Sequence, residues 1–267
     1  MNPYRPFIFV LLIVLSACGT NETIIPTESP DSVRLTVSAA ANVTIVFTEL
    51  GAVFTQSTGI GVDFNFTSTG QLTQQILQGA PVDVFVSADE SFVDTLEEAN
   101  LVITDTRAVY AIGRLTLWTR ADSPLELSGI ADLTNPAITN IAIANPETAP
   151  YGVAAREALQ SAGLWDELQD KLVFGENITQ TLQYAESGNA DVALVALSLS
   201  IPTDGKWVLL PEELHNPLIQ ALAVINTTQH EAEARQFALF VNSEAGREIM
   251  RRYGFILPNE DAFTQDD

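Results

Sequence analysis

The apolar residues of this chain switch repeatedly between two spacings, and this switch restricts the chain to alternating strands and helices. Residues 33–38 alternate apolar with polar side chains, as a half-buried strand does. Residues 46–54 then place apolar side chains on one face of a helix, with Asn42 positioned as its N-cap. The same pattern predicts further strands at 62–66, 82–86, 115–118, 141–143, 172–174 and 192–196, and helices that begin near 70 and span 92–99, 153–162 and 178–187. Strands that alternate with helices predict an α/β protein with mostly parallel sheets covered on both faces.

The length of 267 residues accommodates two such α/β units. We place the first lobe at 33–111 and the second at 112–221, with 222–257 returning to the first lobe. The chain then crosses twice between the lobes, and two crossovers make a hinge that permits closure around a ligand. One continuous domain is the alternative that this length also allows.

The first 17 residues predict a signal peptide rather than part of the fold. Arg5 precedes an apolar run at 7–15, which is shorter than the roughly 20 residues that a membrane-spanning helix needs. The run ends in Leu15-Ser16-Ala17-Cys18, which resembles the lipobox of bacterial lipoproteins, whose cysteine is lipidated and becomes the mature N-terminus. An ordinary cleaved signal that happens to contain a cysteine is the alternative. Residues 18–32 are polar, with two prolines, and predict a lipidated Cys18 followed by a flexible tether.

The negative net charge and the small number of cysteine and histidine residues exclude several classes of function. The chain has 12 Lys and Arg residues against 34 Asp and Glu residues, a formal net charge of −22 at pH 7. This sign is opposite to what binding to nucleic-acid phosphates or to an acidic phospholipid surface requires. The single cysteine allows no internal disulfide, and two histidines leave little for zinc or histidine-dependent chemistry. The sequence therefore predicts no nucleic-acid partner and no metal-ion cofactor.

Four predicted strand-to-helix turns carry small, hydroxylic or amide side chains and no Lys or Arg. They are 39–42, 68–70, 150–152 and 177–178. In α/β sheets, ligands bind beyond the carboxyl ends of the strands, where these turns lie. A helix N-terminus offers unpaired N–H groups and about half a positive charge, so several that converge form an anion site made of neutral donors. For any one turn taken alone, an ordinary helix cap is the alternative.

Five phrases of the chain, in this order and spacing, resemble the molybdate-binding proteins of ABC importers, the ModA family: Ser38-Ala-Ala-Ala-Asn42, Phe66-Thr-Ser-Thr-Gly-Gln-Leu72, Gly79-Ala-Pro-Val-Asp-Val-Phe-Val-Ser-Ala-Asp89, Ala144-Asn-Pro-Glu-Thr-Ala-Pro-Tyr-Gly152 and Arg252-Tyr-Gly-Phe255. The resemblance covers nearly everything from 33 to 257, and 79–89 is its most specific part. It implies a periplasmic-binding-protein-like fold of type II, whose two α/β lobes close on molybdate or tungstate without catalysis and without a cofactor. It also implies delivery of the anion to an inner-membrane permease driven by a cytoplasmic ATPase.

Carried over residue by residue, the resemblance assigns the oxyanion contacts to the turns described above. The first contact falls on Asn42, where other members have Ser, so that an amide replaces a hydroxyl. The second falls on Thr69, with Ser68 beside it, and both have a hydroxyl and an N–H to donate. The third and fourth fall on Tyr151 and Ile178, as backbone N–H contacts.

The fifth contact falls on Ala196, where some members supply a Tyr hydroxyl. We expect Ser198, two residues further on, to replace that donor. A cage of donors suits molybdate, a dianion that carries no proton at neutral pH. Monohydrogen phosphate would leave its O–H unpaired, at a cost of roughly 1–3 kcal/mol. Sulfate also carries no proton, so cavity size must exclude it, and a receptor for sulfate or phosphate is the alternative function.

An extracytoplasmic hydrolase that uses Asp83 or Asp89 is an alternative of a different class. Paired carboxylates can perform acid–base chemistry, but no nucleophile or metal ligand stands near them in the sequence. We therefore expect capping and buried hydrogen bonds at these residues, and a binding protein rather than an enzyme. The expected protein is a monomeric, membrane-anchored, extracytoplasmic lipoprotein.

Overall fold

The computed structural model describes residues 33–259, so the predicted signal peptide at 1–17, the lipidation site at Cys18 and the tether at 18–32 lie outside the described residues. Within 33–259 the chain forms two five-stranded sheets. The strands are β1 Arg34–Ala40, β2 Gly61–Thr67, β3 Val84–Ser87, β4 Ala108–Gly113, β5 Leu115–Arg120, β6 Ile141–Ala144, β7 Leu172–Gly175, β8 Val192–Ala196, β9 Gly205–Leu209 and β10 Leu218–Val224. The α-helices are α1 Thr44–Thr58, α2 Thr69–Leu77, α3 Ser91–Glu98, α4 Pro150–Ser161, α5 Trp165–Leu168, α6 Ile178–Glu186, α7 Leu197–Ser200, α8 Glu231–Val241 and α9 Glu244–Arg252.

The two sheets have equivalent topologies. The first has the strand order β2-β1-β3-β10-β4, and the second β7-β6-β8-β5-β9. In each sheet three neighbouring strands are parallel, while β10 in the first and β5 in the second run antiparallel to both neighbours. The prediction of α/β lobes is confirmed, but the sheets are mixed rather than mostly parallel. β5 and β10 are the first strands after the chain crosses between the sheets. No α-helix lies between β4 and β5 or between β9 and β10 to reverse the chain direction.

Helices cover both faces of the first sheet because its central strands β3 and β10 place buried apolar residues on both faces. Leu50 and Phe54 of α1 pack with Phe237 of α8 in a cluster against one face, and all three are fully buried. Leu72 of α2 and Leu96 of α3 belong to a separate buried cluster on the other side. The spacing of apolar residues in each helix thus sets which side of the helix packs against the sheet.

The chain crosses from the first sheet to the second between β4 and β5, and returns between β9 and β10. Residues 218–221, which the sequence assigned to the second lobe, therefore lie in a strand of the first sheet, where β10 is hydrogen-bonded to β3 and β4. Two short antiparallel strands that the sequence did not predict, β4 and β9, lie at the edges of the sheets. The lobe limits at 111/112 and 221/222 otherwise stay a prediction.

Asp191, just before β8, links the start of β8 to the segment just before the parallel strand β6. Its carboxylate accepts hydrogen bonds from the backbone N–H of Thr139 at 2.7 Å and of Asn140 at 3.0 Å. Partial burial acts to raise the pKa of this carboxyl, but the N–H donors of Asn140 and Thr139 outweigh it and hold the pKa below its usual value. None of the helices in the described part of the chain combines the length and the hydropathy that crossing a bilayer requires.

Candidate functional site

A small cavity lies where turns after the strands of both sheets meet. Its volume is about 10 Å³, far below the roughly 300–1,000 Å³ of pockets for drug-sized ligands. The cavity therefore suits at most a guest of a few heavy atoms. Its lining comes from five turns: Ala40, Ala41 and Asn42 after β1, Ser68 and Thr69 after β2, Ala88 after β3, Ala149, Pro150 and Tyr151 after β6, and Ile178 after β7.

Ser68 and Thr69 contribute the donors on the first-lobe side of the cavity. Ser68 is the N-cap of α2, yet its hydroxyl makes no capping bond. This hydroxyl is buried and has no hydrogen-bond partner among residues 33–259. Thr69 Oγ1 accepts a hydrogen bond from the backbone N–H of Ala88 at 3.2 Å, which leaves its hydroxyl proton to donate. Both hydroxyls are thus held at the cavity with a proton to offer.

Two helix N-termini face the cavity from the second lobe. Tyr151 is the second residue of α4, behind Pro150, which has no N–H. Ile178 is the first residue of α6, and the Asn177 side chain caps that helix by accepting from the Gln180 N–H at 3.0 Å. First-turn N–H groups have no acceptor within their own helix, and the helix dipole makes them favourable partners for an anion. Tyr151 and Ile178 therefore lie at the cavity, and their role as backbone donors to a ligand stays a prediction.

Asn42 lines the cavity, but it does not cap a helix as predicted. It lies in a 3₁₀ turn at Ala41–Val43, and α1 begins after it without a side-chain cap. Its Nδ2 instead donates to Oε1 of Gln220 on β10 at 3.0 Å, while its Oδ1 is buried without a partner among the described residues. A contact 178 positions away in the chain replaces the local cap because both groups are buried.

Ala196 and Ser198 are not among the residues that line the cavity. Ala196 ends β8 and precedes the short helix α7. The Ser198 hydroxyl donates to the backbone carbonyl of Asn42 at 2.8 Å, so its proton is already used. The expected replacement for the fifth donor is therefore corrected: Ser198 connects the two lobes, and we leave it out of the proposed donor set.

Direct hydrogen bonds join the lobes around the cavity. Besides the bond from Ser198, the Thr179 hydroxyl of α6 donates to the Ala41 carbonyl at 3.0 Å. The Gly70 N–H at the start of α2 donates to the Thr148 carbonyl at 2.8 Å. A Cβ on Gly70 would lie 2.8 Å from that same carbonyl oxygen, so only glycine allows this approach. The two sides of the cleft are therefore in direct contact in this structure.

No charged side chain is among the ten residues that line the cavity. Burial raises the pKa of the Tyr151 phenol well above its ordinary value, against smaller opposing effects from Gln220, Asn42 and Arg114. Burial also raises the pKa of the neighbouring Tyr110. Both phenols are therefore neutral in the physiological range, and the site offers hydrogen bonds and helix dipoles rather than ionic groups.

The two aspartates considered for catalysis lie outside the cavity lining. Asp83 Oδ2 accepts from the Thr36 N–H at 2.7 Å, and its Oδ1 accepts from the Thr228 hydroxyl. Asp89 Oδ1 accepts from the N–H and hydroxyl of Ser91 at 2.8 and 2.6 Å. Among residues 33–259 there is also no group of three or more His, Cys, Asp or Glu side chains arranged to hold a metal ion.

The sequence reasoning missed Gln220, which is fully buried in contact with two cavity residues. A signal was present, because Gln220 is the one polar residue in the apolar run 218–225. A buried carboxamide needs partners, so a lone polar residue in a core strand indicates a buried hydrogen-bond network.

Comparison with known proteins agrees with this geometry. Residues 35–256 match the family of bacterial extracellular solute-binding proteins. The chain is 36% identical to the molybdate-binding protein ModA of Rhodobacter capsulatus over 82% of this chain and 86% of that protein. It is 32% identical to ModA of Mycobacterium tuberculosis H37Rv over 93% and 95%. The solved periplasmic molybdate-binding protein of Azotobacter vinelandii superposes with a TM-score of 0.80 at 31% identity, covering 84% of this chain and 99% of that one. The chain therefore belongs to the family of bacterial extracellular solute-binding proteins that includes the ModA proteins.

Proposed function

We propose that this protein captures molybdate in the cavity between its lobes and delivers it to an ABC importer. The observation that carries the proposal is a small, uncharged cavity into which neutral donors of both lobes converge. These donors are the hydroxyls of Ser68 and Thr69 and the N–H groups of Tyr151 and Ile178. The similarity to ModA proteins along most of the chain supports the same ligand.

The donor chemistry favours a dianion that carries no proton. Each oxygen of molybdate can accept hydrogen bonds, and it has no O–H that needs an acceptor. Monohydrogen phosphate brings one O–H, and leaving it unpaired in a buried site costs about 1–3 kcal/mol, or roughly tenfold to a hundredfold in affinity. Tungstate has the same charge and shape as molybdate, so we propose that it binds as well.

Sulfate has to be excluded by size, because its donor requirements equal those of molybdate. Its S–O bonds are shorter than Mo–O bonds, so a cage closed at a fixed spacing leaves longer, weaker hydrogen bonds to sulfate. The direct hydrogen bonds between the lobes fix that spacing. We propose that the closed cleft sets the selectivity.

The remaining parts of the proposal concern location and partners. Family membership supports an extracytoplasmic protein. We propose that Cys18 carries the lipid that anchors it to the membrane, that it acts as a monomer without a cofactor, and that a permease with its ATPase accepts the released anion. The net charge of −22 does not prevent anion binding, because charges beyond about 10 Å are largely screened at 0.1 M salt.

A ligand panel tests the proposal. Thermal unfolding and titration calorimetry are measured with molybdate, tungstate, sulfate and phosphate. Ligand at 100 times Kd adds about 2.7 kcal/mol of stability, so molybdate and tungstate should each raise the Tm clearly. If sulfate or phosphate raised the Tm and neither molybdate nor tungstate did, the proposed ligand would be wrong. Labelling of the expressed protein with a lipid precursor, compared with Cys18→Ser, tests the anchor.

A further inference from the structure

Gln220 connects cavity residues of the two lobes through one carboxamide. Its Oε1 accepts from Asn42 Nδ2 at 3.0 Å and from the Tyr110 hydroxyl at 2.8 Å. Its Nε2 donates to the Tyr151 hydroxyl at 3.1 Å. Gln220 is 0% exposed, and Asn42 and Tyr151 are 1% and 2% exposed, so water does not compete for these bonds.

This arrangement leaves Asn42 in the orientation that an anion disfavours. The Nδ2 of Asn42 is turned towards Gln220, so the atom left over is Oδ1, a buried acceptor without a partner among the described residues. Asn42 lines the cavity. A carbonyl oxygen next to a dianion is repelled, whereas an amide N–H in the same place would donate a charge-assisted hydrogen bond.

The same heavy-atom positions support the network with the opposite polarity. A carboxamide has oxygen and nitrogen ends of nearly equal shape, so rotation by half a turn exchanges a donor for an acceptor. With both amides rotated, Gln220 Nε2 donates to Asn42 Oδ1 and to the Tyr110 oxygen, and the Tyr151 hydroxyl donates to Gln220 Oε1. The Tyr110 proton then goes to the Ser87 carbonyl, which lies 3.2 Å from its oxygen. Gln220 keeps three hydrogen bonds, and Asn42 Nδ2 is released.

We propose that Asn42 and Gln220 form a hydrogen-bond relay that reverses when the oxyanion binds, so that Asn42 changes from an acceptor to a donor at the cavity. Gln220 is then a positioning residue: it contacts no ligand, and it sets which end of the Asn42 amide the ligand meets. The inference rests on the proposed function, because a proton-free dianion is the ligand that selects the donor polarity.

The relay also makes tight binding depend on residues of both lobes. The reversed polarity needs the Tyr151 hydroxyl of the second lobe as a donor to Gln220, and Tyr151 approaches Gln220 in the closed cleft seen here. Asn42 therefore becomes a donor to the anion when the Tyr151 hydroxyl is hydrogen-bonded to Gln220.

A double-mutant cycle on the full chain tests the relay. Molybdate Kd is measured by calorimetry for the wild type, Gln220→Met, Asn42→Leu and the double variant. Each single variant loses one charge-assisted hydrogen bond to the anion and should weaken binding about tenfold to a hundredfold. The two losses should not multiply, because Gln220 acts on the anion only through Asn42. A double variant whose loss equals the product of the single losses would overturn the relay.

The control variant is Thr106→Val, which breaks a hydrogen bond of the same strand away from the cavity. Thr106 Oγ1 accepts from the Val224 N–H at 2.9 Å. This variant should lower the Tm and leave the molybdate Kd unchanged. Failure of the wild type to bind molybdate would overturn the proposed function and the relay together, whereas binding by the wild type with independent losses overturns the relay alone.

A second measurement needs no substitution. Neutron diffraction from deuterated crystals distinguishes nitrogen from oxygen and shows the deuterium atoms. The relay predicts that the Asn42 ND₂ group faces Gln220 in the free protein and faces the anion in the molybdate complex. The same orientation of both amides in the two crystals would contradict it.

Discussion

Ser68→Ala separates the binding role of a hydroxyl from a structural role more sharply than any other single substitution at the site. Ser68 is 3% exposed, and its Oγ has no hydrogen-bond partner among residues 33–259. Removing this oxygen therefore breaks no hydrogen bond within the described protein. Burying an unpaired hydroxyl is itself unfavourable, so the variant should be as stable as the wild type or more stable by up to about 1 kcal/mol.

The effect on binding should be opposite in sign. If the Ser68 hydroxyl donates to the dianion, the variant loses a hydrogen bond to a charged acceptor, worth about 1.5–3 kcal/mol. This corresponds to a Kd about tenfold to 150-fold weaker. Titration calorimetry with molybdate gives the Kd, and thermal unfolding of the ligand-free protein gives the stability.

Ser200→Ala is the matched control. Ser200 is 0% exposed, and its hydroxyl lies 2.7 Å from Thr116 Oγ1 and 3.3 Å from the Ala196 carbonyl oxygen. Its loss should cost about 0.5–1.5 kcal/mol of stability, or a few degrees of Tm, with the Kd unchanged. The reasoning is refuted if Ser68→Ala lowers the Tm as Ser200→Ala does and binds molybdate with the wild-type Kd.

The order of strands and helices could be predicted because apolar spacing is a local property of the sequence. The strand at Val192–Ala196 was predicted with its observed bounds, and the helix that follows Asn177 differs by one residue at its end. The antiparallel edges could not be predicted in this way. Strand direction depends on which sheet the chain enters after each crossing, and neither Ala-Val-Tyr-Ala-Ile-Gly of β4 nor Gly-Lys-Trp-Val-Leu of β9 alternates apolar with polar residues.

The same distinction holds for the functional site, where local features could be predicted and long-range contacts could not. The positions of Tyr151 and Ile178 in the first turns of helices could be predicted, because local sequence indicates helix starts. Asn42 and Ser198 were misjudged because their partners lie 178 and 156 positions away. A cap and a long-range buried contact use the same side-chain types, so the sequence alone cannot distinguish them.

Three further predictions concern closure and stability. Gly70→Ala should weaken molybdate binding at least tenfold with little change in Tm, because its Cβ would lie 2.8 Å from the Thr148 carbonyl oxygen across the cleft; calorimetry and small-angle scattering check affinity and closure, and an unchanged Kd would contradict it. Thr179→Val should speed molybdate release about two- to tenfold in stopped-flow experiments, since the bond to the Ala41 carbonyl holds the closed form; equal release rates would count against that bond. Asp191→Asn should lower the Tm by roughly 2–4 °C at pH 7, because one favourable charge-assisted interaction is lost. The pKa of Asp191 is lowered in the folded state, so its contribution is present above its usual pKa of 3.8 and lost as the pH falls through the lowered value; a Tm difference from wild type that persists equally at pH 3 would contradict this assignment.

The most direct test of the account is the position of molybdenum in a crystal of the complex, located from its anomalous scattering. The account predicts one peak in the cavity bounded by Ser68, Thr69, Tyr151 and Ile178, with hydroxyl and backbone N–H donors around the anion and no Lys or Arg side chain in contact with it. A peak beside a cationic side chain elsewhere, or no peak at saturating molybdate, would contradict the claim that neutral donors from two lobes hold the anion.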